Sequence, residues 1–177
     1  MNANQPIISG KKYHSVSFYD AAGDKVTVSL IDKHTNKIST KASFSISLNG
    51  KKGNHEDIDN ILLSKGVNGN TALVINVIPQ DLNLSTRTAG AVTVNSISAD
   101  PSVRVTTLHA INLSAAIVND IHLPNVDIGS ISLNTGQAQY ADRINTVTNT
   151  PITNYQPTAG AIDLGAGGME TLVLVAI

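Results

Sequence analysis

Thr71-Ala-Leu-Val-Ile-Asn-Val-Ile-Pro79 is the stretch on which the fold turns. Side chains alternate between the two faces of a strand, so Leu73, Ile75 and Val77 share one side and Ala72, Val74 and Ile78 the other. A run apolar on both sides predicts a strand covered on both. Leu172 to Ile177 (LVLVAI) has the same character. The two are expected to be interior strands around which the others are laid.

Working back from Thr71, the pattern is mostly period two. Lys11 to Asp20 reads as a strand with Val16 and Phe18 inward. Lys25 to Asp32 follows, with Val26, Val28 and Leu30 inward and Thr27 and Ser29 outward. Asp20-Ala-Ala-Gly-Asp24 between them is a turn, which predicts a hairpin. Ala42 to Leu48 repeats the alternation with Phe44, Ile46 and Leu48. His55 to Lys65 breaks it. Asn54 can cap a helix, Glu56 and Asp57 suit its start, and Ile58, Ile61 and Leu62 fall on one helical face. Gly66 can supply a left-handed stop. The spacing therefore predicts one short helix over 55–65.

Forward from Pro79 come short strands: Leu82 to Thr88, Ala91 to Ile97, Val103 to Leu113, Ala115 to Leu123, Ile128 to Leu133, Gln137 to Val147 and the final run. The inward parity shifts at Gly129, which suggests a bulge. Residues 149–168 hold Pro151, Pro157 and a cluster of small residues, and are expected to form a long surface loop with room for one short edge strand. Nine or ten short strands with frequent turns predict an all-β, antiparallel sandwich of jelly-roll or Greek-key type. No internal repeat is evident. The expected organisation is an N-terminal arm, residues 1–12, and one β-sandwich domain over 13–177, with a possible subdivision near 66–70.

The chain of 177 residues can bury roughly 70% of its unfolded surface without staples. Its apolar fraction is 41% but its aromatic fraction only 3%, so the core must be built of Val, Ile, Leu and Ala. The absence of Cys excludes disulfides, thiolate metal sites and cysteine nucleophiles. The N-terminal stretch has no apolar run of signal-peptide length, and no run approaches the roughly 18 residues of a membrane helix. Synthesis in a cytoplasm is expected, with no membrane partner. The net charge of −1 is unevenly spread. Up to Lys65 there are nine Lys and six acids; beyond it, three Arg and seven acids. Such a chain can set unlike surfaces against neighbouring copies, or its basic end against a polyanion.

His109, Asp120 and His122 are the best candidate constellation. If their strands paired about the turn at 112–115, two imidazoles and a carboxylate could hold zinc or another transition metal. Outward polar residues on a sheet are the weightier alternative, so no metal, cofactor or catalytic residue is expected. His14 and His34 have no matched partner. No Gly-x-Ser-x-Gly elbow is present. Gly165-Ala-Gly167-Gly168 precedes a strand rather than a helix, which argues for a turn and against a phosphate loop. Asp20 and Asp24 offer too few oxygens for calcium. Asn83 and Asn112 match a glycosylation pattern, taken as chance without a secretory signal. Nucleic-acid binding through Lys11 and Lys12 is possible in principle but not favoured, since the lysines alternate with acids and lack Arg and aromatic company.

No motif supports an enzyme. A carbohydrate-binding module usually stacks sugars on exposed aromatics, which are scarce here. A self-assembling structural protein needs no site, only a stable β core and polar faces rich in Ser, Thr, Asn and Ala. In composition and strand layout the chain resembles small β-sandwich proteins of virions, especially phage capsid, vertex and decoration proteins. The resemblance implies a homo-oligomeric virion subunit contacting copies of itself and other virion proteins through the arm 1–12 and the loop 149–168. The alternative is a receptor- or glycan-binding module of a tail or fibre, and a metal-dependent enzyme ranks last.

Overall fold

A computed structural model describes residues 10–20, 24–49, 57–78, 92–114, 116–134, 144–145, 150–151, 159–164 and 167–175. The strands are β1 (Ser15–Tyr19), β2 (Lys25–Asp32), β3 (Lys37–Ile38), β4 (Phe44–Asn49), β5 (Asp57–Leu63), β6 (Thr71–Ile78), β7 (Val92–Ala99), β8 (Thr107–Ser114), β9 (Ala116–His122), β10 (Asp127–Asn134), β11 (Ile144–Asn145), β12 (Thr150–Pro151), β13 (Ala159–Asp163) and β14 (Met169–Val175). The fold is all-β. One sheet runs β1-β2-β6-β8-β10-β14, with β3 beside β2; the other runs β13-β9-β7-β5-β4. Among the described residues, the short β11 and β12 pair only with each other.

The two large sheets share one core. Val26, Val28 and Leu30 of β2, Leu73 and Ile75 of β6, and Ile111 of β8 are buried in the same cluster as Phe44, Ile58, Ile61, Ile97 and Ile121 of the other sheet. Residues from both sides of 66–70 contribute to it. The aliphatic core expected from the composition is thus present, with Tyr13 and Phe44 a ring pair in it, centroids 6.2 Å apart.

The pairing is mixed, not antiparallel throughout. The β1–β2 hairpin forms as expected, and β2–β6 and β4–β5 are antiparallel too. From β5 onward the chain alternates between sheets. Each strand lies parallel to the previous strand of its own sheet: β5-β7-β9-β13 on one side and β6-β8-β10-β14 on the other. This is a flattened coil of two strands per turn. Its first end is closed by antiparallel elements. There Tyr13 exchanges backbone hydrogen bonds with Phe44, 2.7 and 2.9 Å, before the chain crosses to β1 in the other sheet.

The coil reveals an internal repeat that the linear sequence hides. Leu108-x-x-Ile111-x-Leu113, Val118-x-x-Ile121-x-Leu123 and Ile128-x-x-Ile131-x-Leu133 recur at intervals of ten. In register, Ile58, Val94 and Val118 stack in one layer of the core, and Ile61, Ile97, Ile121 and Ile162 in the next. The step of three inside each motif leaves two consecutive residues out of the core, such as Asp59 and Asn60. In β10 those residues are Gly129 and Ser130, where the parity shift was expected. A Cβ on Gly129 would lie 2.5 Å from the His109 carbonyl oxygen, so the layer closes only over glycine.

The helix expected over 55–65 is not present among the described residues; Asp57–Leu63 is strand β5. Ile58, Ile61 and Leu63 are its buried residues. A strand with that kink mimics helical spacing, and pairing on both sides, to β4 and β7, outweighs local propensity. Gly66 does adopt a positive φ of 84°, but it turns the chain after a strand. Two expectations about the longest apolar runs also change. β6 is interior in its sheet, but its outer face is not fully covered: Ile78 is 42% exposed. β14 lies at a sheet edge, with β10 on its inner side.

Candidate functional site

The alternation between sheets decides where the candidate metal residues go. His109 is on β8 in the larger sheet, while Asp120 and His122 are on β9 in the other. β8 and β9 lie in different sheets and do not pair, so the expected pairing of His109 with Asp120 does not form. Among the described residues no group of three His, Asp or Glu side chains is placed to hold a metal ion. His122 instead faces the neighbouring parallel strand, its Nδ1 3.1 Å from Asp163 Oδ2, with both groups more than half exposed. His14 Nδ1 contacts the Ala42 carbonyl, and His34 Nε2 lies 3.1 Å from Asn70 Oδ1.

His109 lines a shallow, open depression of about 400 Å³ on the outer face of its sheet. Ile31, Ala72 and Val74 contribute apolar surface; Lys33, Asn36, His109 and Asn112 contribute polar groups. Asn36 holds a left-handed φ of 52° in the turn after β2, where asparagine is one of the few tolerated residues. Asn112, half of the apparent glycosylation pattern, is thus a strand residue on this face; Asn83 lies outside the described residues.

The outer faces otherwise carry short polar side chains bonded to one another across strands. Ser15 and Ser29 hydroxyls are 2.7 Å apart, and Ser17 and Thr27 are 2.8 Å apart. On the other sheet, Asn119 Nδ2 donates to Asn95 Oδ1 at 3.0 Å, and the Ser96 and Ser98 hydroxyls both donate to Asn60 Oδ1. Groups tied into such ladders hold the sheet surface rather than activate a nucleophile. Asp20 and Asp24 are buried at the foot of the first hairpin, where the Asp24 amide donates to Asp20 Oδ1 at 2.9 Å; the tip between them lies outside the described residues. Near the glycine run, the Gly167 amide donates to the Leu164 carbonyl, and a Cβ at Gly167 would lie 2.3 Å from the Val126 carbonyl oxygen. That glycine serves close backbone approach at the entry to β14.

Charge follows the coil. The first end, residues 10–20 and 24–49, carries six Lys and three Asp. The strands at the last end, β9, β10, β13 and β14, carry Asp120, Asp127, Asp163 and Glu170 and no Lys or Arg. The asymmetry is visible in the sequence, but its axis is not, because it depends on strand order. Between the ends, Lys12 Nζ reaches Asp100 Oδ2 at 3.1 Å. Two Ser102 donors, Oγ at 2.6 Å and the amide at 3.0 Å, reach the other Asp100 oxygen and, with Lys12, hold that carboxyl down to about 2. Of the expected contact regions, the arm 1–12 is described only from Gly10, and the loop 149–168 only at 150–151, 159–164 and 167–168. Among the described residues no helix is long and apolar enough to cross a membrane. Comparison of the chain with protein-family models, with curated proteins and with solved structures returns no match.

Proposed function

We propose that the chain is a structural subunit of a viral particle, a capsid-associated β protein that works through contacts with its own copies and with other particle proteins. The observation that carries this reading is the segregation of charge along a two-sheet coil with an aliphatic core. Unlike ends favour ordered contact with neighbours, and close-packed sheets with laddered hydroxyls and amides supply rigid faces for it. Within this reading the finer topology is a coil of alternating sheets in preference to a jelly roll or Greek key, because the parallel pairings leave no room for the hairpin returns those topologies need.

The test is to purify particles from cells producing the chain and to quantify it in them by mass spectrometry, alongside sedimentation of the isolated protein. A fixed stoichiometry per particle is expected. A strict monomer at high concentration, absent from particles, would remove the basis for the proposal.

The depression beside His109 favours a second reading, a receptor- or glycan-binding module of a tail or fibre. A glycan array should then show selective binding that Lys33→Ala and His109→Ala abolish.

A further inference from the structure

Strand order, register and charge together say how one copy can meet the next. Among the described residues, nothing pairs the outer edge of β13 or of β14. At the opposite end the edges left unpaired among the described residues belong to β1 and β3 in one sheet, and to β4 with the Tyr13 segment in the other. Exposed edges present unpaired N–H and C=O groups that can template a further strand. Directions are compatible. Two antiparallel steps, β1–β2 and β2–β6, leave β1 parallel to β6 and hence to β14.

The register can be followed across each sheet. In the larger one, Lys37 stands opposite Asp32 and Asp32 opposite Thr71. The same layer continues through His109 and Gly129, between the paired residues on either side, to Glu170. In the other, Asp163 stands opposite His122, and the layer continues through Ser98, Leu62 and Ser45. The antiparallel Tyr13–Phe44 bridge sets Lys12 opposite Ser45. Each layer therefore begins with a lysine at the first end and finishes with a carboxylate at the last. Translation of one copy along the coil axis sets Glu170 against Lys37 and Asp163 against Lys12.

We infer that copies of this chain stack head to tail, the β13/β14 end of one on the β1/β3/β4 end of the next, continuing both sheets and matching Glu170 to Lys37. The contact is heterologous, so it generates a ring or an open filament instead of a closed two-fold dimer. This deepens the self-assembly reading above and rests on it for its biological setting, though not for its geometry.

The test is sedimentation velocity of the full chain from micromolar to near-millimolar concentration. Association should be concentration-dependent and weakened in about 0.5 M salt, where screening reaches only a few ångströms. Lys37→Glu alone and Glu170→Lys alone should each weaken it by about tenfold, since each sets like charges together. Circular dichroism of each variant checks that it is folded. An equimolar mixture of the two single variants, and the doubly swapped chain, should both recover association. Those two recoveries read contact between position 37 of one copy and position 170 of another: a contact of Lys37 with Lys37 would not be restored by the double swap, and growth beyond a dimer separates the head-to-tail stack from a reciprocal two-fold pair. A monomer at all concentrations, or association indifferent to both swaps, overturns the inference. Insensitive association of a protein found in particles would sink the stacking and leave the structural role standing. Stacking by a protein absent from particles would do the reverse.

Discussion

A methyl group added at Gly66 would sit 2.2 Å from the Lys41 carbonyl oxygen, at a backbone φ of 84°. Both terms oppose it: the left-handed region disfavours a Cβ, and the obstacle is backbone that cannot rotate away. Gly66→Ala should cost about 2–4 kcal/mol in urea unfolding. Gly69→Ala, three residues on, meets only the Thr107 side chain at 3.5 Å and should change stability by less than about 1 kcal/mol. Asp100 offers a second residue-level test. The Ser102 hydroxyl, the Ser102 amide and Lys12 favour its charged form, so its carboxyl ionises near 2 in place of the ordinary 3.8. A carboxylate whose pKa falls on folding stabilises the protein above the unfolded value, and that contribution fades as pH drops from 3.8 toward 2. Carboxyl NMR should find Asp100 titrating near 2, and Ser102→Ala should move it back toward 3.8. An Asp100 that titrates near 3.8 in the unaltered protein would remove the assigned hydrogen bonds from the account.

Element by element, the core layers decide stability. Ile61 is buried in the layer it shares with Ile97 and Ile121, so Ile61→Ala should lose about 2–5 kcal/mol through lost burial and the cavity left behind. Ile38 on the two-residue β3 is 50% exposed, and Ile38→Ala should stay within about 0.5 kcal/mol in the same measurement. The contrast bears on what was legible in the sequence. Alternation correctly marks Val26, Val28 and Leu30 as inward, and the pairing of β1 with β2 follows as expected, because both are local facts. Alternation cannot say which strand lies beside which, since it fixes a face and not a partner. The parallel coil, the edge position of β14 and the separation of His109 from Asp120 all follow from that missing information. β5 misled for a related reason. Its spacing of three between Ile58 and Ile61 fits a helix in isolation, and only alignment with Val94–Ile97 and Val118–Ile121 identifies it as one rung of a repeated kinked strand.

Across the whole molecule, strand order predicts how stability is distributed. In a stacked coil each rung is held by its neighbours, so a rung packed on both sides opens only when they do, while an end rung can detach alone. β7 has β5 and β9 beside it, and β8 has β6 and β10; all four contacts are parallel, each through at least five residue pairs. Among the described residues, β13 pairs with β9 alone and β3 with β2 alone, the latter through two residue pairs. Hydrogen–deuterium exchange should therefore find the slowest amides in β6, β7 and β8, exchanging only with global unfolding, and faster exchange in β3 and β13. Ile97→Ala, in an interior rung, should speed exchange of that slow set together, because those amides share one opening. Head-to-tail stacking adds a second condition to the same experiment. At concentrations where copies associate, β13 and β14 of one copy and β1 and β3 of the next become covered, so their protection should rise while β7 and β8 stay unchanged. In the Lys37→Glu chain the same rise in protection should need about tenfold higher concentration. Uniform protection across all strands would argue that the two sheets open as one block, and would remove the end-rung picture of stability.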